Sequence, residues 1–177
     1  MAAKPSEPIF FWRPHEEHGY LGQWFPSPFT TPSPVNPEEN VTFQNCETYM
    51  MYHKAILFND ILVAKEILVA ANDPKEVKAL GRKVRGFNET EWNEKKFEIV
   101  VAANREKFTQ HVHLGEQLLE TEGREIVEAS PMDKIWGIGF GKKNALKNRY
   151  RWGKNLLGKA LMEVRDELIA EKEKEKK

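Results

Sequence analysis

Six prolines and two glycines fall between residues 13 and 40: Pro14, Gly19, Gly22, Pro26, Pro28, Pro32, Pro34 and Pro37. Proline fixes its own backbone and lacks the amide hydrogen a helix needs, so no helix persists at that density. The stretch 13–40 therefore reads as loop, and a packed core has to come from the residues on either side of it. Its aromatics, Tyr20, Trp24, Phe25 and Phe29, argue that it packs onto the body of the protein instead of hanging free. Just before it, Pro8-Ile9-Phe10-Phe11-Trp12 has the apolar run of a short buried strand. Just after it, Val41-Thr42-Phe43 alternates like a second.

Helical signals then dominate. Asn45 is placed to cap a helix running to about Phe58, with Glu47 in the first turn, where the helix dipole favours an anion. Asn59 or Asp60 caps the next, with Ile61, Ala64, Leu68 and Ala71 at helical spacing. Asp73-Pro74 opens a short third helix, since proline is tolerated at the first helical position. Glu91 to about Gln110 is long and amphipathic, with Phe97, Val100, Val101, Asn104 and Phe108 along one side. Residues 111–121 add a turn-rich helix, and Glu125 to Ala129 reads as a strand. A glycine-punctuated loop follows, Trp136-Gly137-Ile138-Gly139-Phe140-Gly141, and a last helix spans about 154–170 on a Leu157, Leu161, Val164, Leu168 stripe. The expected fold is mainly α: a single compact helical domain over 9–170 with a few short strands. A flexible tail over 1–8 precedes it, and a solvated charged tail over 171–177 ends it.

A chain of 177 residues suits one such domain and buries enough surface to fold without a disulfide. The lone cysteine, Cys46, makes no pair, and no Cys/His spacing suggests zinc, so no metal and no cofactor is expected. The polar start, Met1 to Pro8, has no signal-peptide character, and no apolar run approaches a membrane span, which points to the cytosol or nucleus. With 27 basic and 27 acidic residues the net charge is zero, which argues against strong non-specific nucleic-acid binding but leaves a local basic patch open. Nothing in the sequence sets the oligomeric state.

Glu47 and Lys54 lie seven residues apart on one expected helix, which returns them to within about 20° of one face, roughly 10 Å apart along the axis. Both heads can then serve one pocket: a carboxylate that moves a proton or stabilises a cation, and an amine able to attack a sugar carbon once desolvated. The same spacing also describes a solvated helix face with unrelated charges. Ser130, Asp133, Trp136 and Gly137 form a polar-aromatic turn, in which Trp136 either stacks on a base or anchors the core. Trp92 carries the same two readings. Asn155, near the last helix start, serves as an anion support or as a plain N-cap.

Three segments, in this order and at these separations, resemble the NADAR superfamily, which includes the N-glycosidases of riboflavin-biosynthesis intermediates. The first is Thr42 to Lys54, with its phenylalanine, Glu47-Thr48-Tyr49, and the lysine seven residues after the glutamate. The second is Gly81-Arg82 with Trp92 and Lys96. The third and most specific is Glu128 to Gly139, followed by Asn155 to Arg165. The resemblance implies a metal-independent N-glycosyl hydrolase of a ribosylated base, either ribosylaminopyrimidine phosphate or an ADP-ribosylated nucleic-acid base such as guanine. The alternative is a module that binds ADP-ribose or a nucleotide without cleaving it. By position the resemblance implies Glu47, Lys54 and Asp133 as catalytic, and Tyr49, Trp92, Ser130, Trp136, Gly137 and Asn155 as ligand-binding. Where many members carry Ser-Asn-Phe in the first loop, this chain has Gly22-Gln23-Trp24-Phe25, so Gln23 stands in for the amide. An adaptor role, with Trp24 and Phe29 exposed on the 20–37 loop, is a further possibility.

Overall fold

The computed structural model describes residues 6–176. Strands β1 (Ile9–Phe11), β2 (Phe29–Pro32) and β3 (Asn40–Phe43) come first. Helices α1 (Cys46–Leu57), α2 (Ile61–Val69), α3 (Pro74–Arg82), α4 (Glu89–Gln110) and α5 (Val112–Leu119) follow in turn. β4 (Ile126–Glu128), α6 (Lys142–Ala145) and α7 (Leu156–Glu175) complete the order, with 3-10 turns at Gly19–Leu21 and Leu146–Arg151. The chain is mainly helical. Its contacts cluster into two compact units: Gln23–Val112, and the described residues up to Gly22 together with those from His113 on.

In the unit Gln23–Val112, α1 is the central element and packs against α2, α3, α4 and β3. Its residues from Cys46 to Tyr52 are all buried, so the helix shows no single apolar stripe. Asn45 starts it as expected: its Oδ1 accepts the Thr48 amide at 2.9 Å. Of the two caps offered for the next helix, Asp60 serves, and Asp73 caps α3 at the Lys75 and Glu76 amides. Asn88 caps α4, which begins at Glu89, two residues before the expected start. An aromatic cluster of Phe29, Phe43, Tyr49, Tyr52 and His53 ties β2 and β3 to α1.

The reading of 13–40 as loop is corrected by β2, which pairs antiparallel with β3, Phe29 opposite Phe43. Phe29 and Thr31 face inward and Thr30 outward, the alternation of a half-buried strand. In a two-stranded ribbon both strands are edges, so Pro32 at the end of β2 costs no ladder bond. Phe29 is 1% exposed, which removes it from any adaptor surface.

In the other unit, β1 and β4 pair in parallel, Ile9 opposite Ile126, across more than a hundred residues of chain. Phe10, Val127, Ala129, Ile138 and Ala145 form its core, edged by Phe140 and Trp152. α7 lays Leu157, Leu161 and Val164 inward and continues as a solvated helix to Glu175, through most of the charged tail. Two helical turns over Lys142–Arg151 were not expected, because the sequence there has neither apolar periodicity nor a capping side chain.

Of the tail read over 1–8, residues 1–5 lie outside the described residues, as does Lys177 at the other end. Residues 6–8 are tied down: Ser6 donates to the Gly123 carbonyl, and Arg124 donates to that of Glu7 at 2.8 Å. Among the described residues, no helix is long and apolar enough to cross a membrane.

Candidate functional site

The first turn of α1 carries Glu47 into the interior, 8% exposed. Its amide donates to the Gln23 carbonyl at 3.1 Å, which fixes the middle of the proline-rich segment against the start of the helix. Two turns on, Lys54 is half-buried. Its Nζ donates to the Gly81 carbonyl at 2.8 Å and lies 4.6 Å from the Phe87 ring centroid and 5.5 Å from that of Trp92. Burial lowers the Lys54 pKa below the ordinary lysine value, and the nearby Arg82 guanidinium lowers it further. Glu47 opposes both, so the two residues sense one another electrostatically.

A polar seam on α4 faces the same unit's interior. Asn104, fully buried, donates to the Gln23 side-chain carbonyl at 3.0 Å and to the Val100 carbonyl, and accepts a weak bond from Cys46 Sγ. Lys107, also fully buried, sits over the Phe25 and Phe108 rings, and burial drops its pKa to about 8. Lys96, 7% exposed, donates to Asn93 at 2.6 Å. Burial raises the Cys46 thiol to about 11, with Lys107 and Glu47 pulling in opposite directions, so Cys46 is a poor nucleophile. Tyr49 is a core aromatic: its ring stacks on His53 at 4.0 Å and meets Phe43 at 5.0 Å. An open groove lined by residues such as Lys65, Val69, Glu76 and Leu80 holds none of the candidate residues.

The other unit holds the remaining candidates. Asp133 Oδ1 accepts the Ile135 and Trp136 amides, both at 2.8 Å, so the carboxylate closes the turn that presents Trp136 half-buried. Gly137 is packed under that turn: a Cβ there would stand 2.8 Å from the Glu128 carbonyl oxygen and 3.1 Å from Ser130 Cβ. Ser130 is 8% exposed. Asn155 precedes α7 in a left-handed conformation and makes no side-chain cap. Its Oδ1 accepts the Glu128 amide and its Nδ2 donates to the Ile126 carbonyl, clamping β4. Among the described residues, no group of three His, Cys, Asp or Glu side chains gathers to hold a metal.

The model of the NADAR domain matches residues 10–169. The chain belongs to the NADAR family. An N-glycosidase of Acanthamoeba polyphaga mimivirus is 48% identical over 149 residues, covering 83% of this chain and 86% of the relative. A riboflavin biosynthesis protein of Vibrio vulnificus is 31% identical over 163 residues, 92% of this chain but 39% of that longer protein. The NMR structure of the Escherichia coli protein YbiA superposes with a TM-score of 0.71 at 26% identity, over 97% of this chain and 89% of the other.

Within this NADAR chain, Glu47, Lys54, Trp92 and Gln23 fall in one unit; the sequence placed Asn104 on the packed side of the fourth helix but gave no notice of Lys96 and Lys107 as interior polar groups. The signal was present. Trp92, Lys96, Val100, Asn104 and Lys107 recur at helical spacing along α4, and a lysine in phase with a buried tryptophan is buried with it.

Proposed function

We propose that this chain is an N-glycosyl hydrolase that cleaves the C–N bond between a ribose and a nucleobase-like group, with Glu47 and Lys54 as its working pair. The observation that carries the reading is the pair itself: a buried carboxylate and a desolvated amine on one helix, electrostatically coupled, with Trp92 and Phe87 walling the amine. The names of the mimiviral relative and of the riboflavin proteins support the same reaction class and a ribosylated substrate.

The chemistry follows from the charges. As the C–N bond breaks, its electron pair leaves with the base and positive charge grows on the anomeric carbon. Glu47 stabilises that charge in a site with little water to screen it. Neutral Lys54 adds its lone pair to the same carbon. Opening of the sugar ring turns the adduct into an imine, and water returns free ribose and the amine. Trp92 offers an apolar face that excludes water beside the amine. Gln23, whose backbone carbonyl accepts the Glu47 amide and whose side-chain carbonyl is held by Asn104, is the group assigned to substrate choice.

The test incubates purified protein with ribosylaminopyrimidine phosphate and with ADP-ribosylated guanosine, and separates free base by chromatography. Glu47→Gln and Lys54→Ala each lower release at least about 100-fold. Both keep a melting temperature close to wild type. Borohydride added during turnover leaves a sugar adduct on the wild-type chain and none on Lys54→Ala. Tight binding of both compounds without release would reduce the site to a nucleotide-binding one.

A further inference from the structure

The zero net charge hides a one-sided distribution. Between Asp133 and Glu163 the sequence has eight basic residues and no acidic one, although basic and acidic residues are balanced at 27 each over the whole chain. Two of the eight have carboxylate partners: Lys142 pairs with Glu17 at 2.8 Å and Arg149 with Glu125 at 2.7 Å. The other six, Lys134, Lys143, Lys147, Arg151, Lys154 and Lys159, are exposed and meet no carboxylate among the described residues. The run is folded as a surface, not strung out. The Lys154 amide donates to the Lys134 carbonyl at 2.8 Å, and the Arg151 guanidinium lies 5.6 Å from the Phe140 ring centroid. Apolar and aromatic side chains stand out among the charges: Tyr150, between Arg149 and Arg151, is 85% exposed, Leu146 53% and Met132 92%.

We propose that this face, built on α6 and the 3-10 turn after it, is a docking surface for single-stranded nucleic acid. Unpaired lysines and arginines neutralise successive phosphates and release their counterions. Exposed Tyr150, next in sequence to the unpaired Arg151, supplies the platform on which an unpaired base stacks between those phosphates. A duplex hides its base faces and leaves Tyr150 unused. A membrane surface fits less well, because insertion needs a continuous apolar helix face, whereas α6 has four residues and the exposed apolar groups alternate with charges. This surface goes beyond the hydrolase reading and does not depend on it: its binding is measured without turnover.

The experiment follows fluorescence anisotropy of a labelled oligothymidylate of about 12 nucleotides with the full chain, at salt from about 50 to about 200 mM. Binding is saturable and weakens with salt, with a log–log slope of about −3 if four phosphates are engaged. The triple variant Lys143→Glu, Lys147→Glu, Arg151→Glu binds at least about tenfold more weakly. Tyr150→Ala weakens binding and leaves the salt slope unchanged. A charge-matched control, Lys65→Glu, Lys75→Glu, Lys83→Glu, binds like wild type. Circular dichroism confirms that each variant is folded. The proposal is overturned by absence of binding at the lowest salt, or by equal loss in the control triple. Retention on phosphatidylserine vesicles without oligonucleotide binding overturns it too.

Discussion

An ammonium loses hydration when protein replaces part of its water, and half-buried Lys54 sits between the Gly81 carbonyl and the Phe87 and Trp92 rings. Burial is the larger cause of its lowered pKa and the Arg82 charge the next. Arg82→Gln removes the second. The Lys54 pKa then rises, less neutral amine is present at neutral pH, and the rising limb of kcat/KM against pH moves to the alkaline side. Trp92→Leu opens the amine to water and moves the limb the same way. A limb that stays in place in both variants would exclude Lys54 as the titrating nucleophile. At this scale the site was half legible. Glu47 and Lys54 stood out because seven residues return a helix to one face. Lys96 and Lys107 did not, because lysine is the residue most readily assigned to solvent, and only its phase with Trp92 revealed burial.

Between elements, the closest approach of a neighbouring backbone to a glycine is that of β4 to α7. A Cβ on Gly158 would collide with the Ile126 carbonyl oxygen and with the Asn155 carboxamide that clamps β4. Gly158→Ala is therefore expected to cost about 2 kcal/mol, since neither a strand backbone nor a clamped side chain can move aside. Gly141→Ala, where nothing lies within 4 Å, is the control and unfolds in urea like wild type. Helix starts were readable because Asn45, Asp60 and Asp73-Pro74 carry their signal locally, in a side chain that reaches an amide two or three residues on. The β1–β4 pair was not readable: a parallel pairing across so long a separation leaves no local trace in either strand. β2 was masked by the prolines around it, and the turns over Lys142–Arg151 are held by packing, such as the Trp152 indole donating to the Ala145 carbonyl.

Across the whole molecule, buried titrating groups make stability a function of pH, and their signs can be worked out. Burial drops His53 from 6.5 to about 4, and its Nε2 has no hydrogen-bond partner, so the folded chain keeps this ring neutral. Between about pH 4 and 6.5 the unfolded chain binds a proton at His53 that the folded chain refuses. The stabilisation is complete above 6.5 and is lost as pH falls toward 4, a change of about 2 to 3 kcal/mol. On the alkaline side two groups oppose each other. Lys107, lowered to about 8, adds stability as pH climbs toward the ordinary lysine value, whereas Cys46, raised to about 11, removes it above 9. The two oppose each other between about pH 9 and 10.5, and above that Tyr20 and Tyr49, both raised by burial, remove stability as well. His53→Phe keeps an aromatic ring against Tyr49 and Phe43 and removes the titration. Urea unfolding of the variant should then show little change between pH 7 and 5, where wild type loses much of that stability. Parallel acid arms in the two proteins would assign the loss to carboxylates elsewhere in the chain.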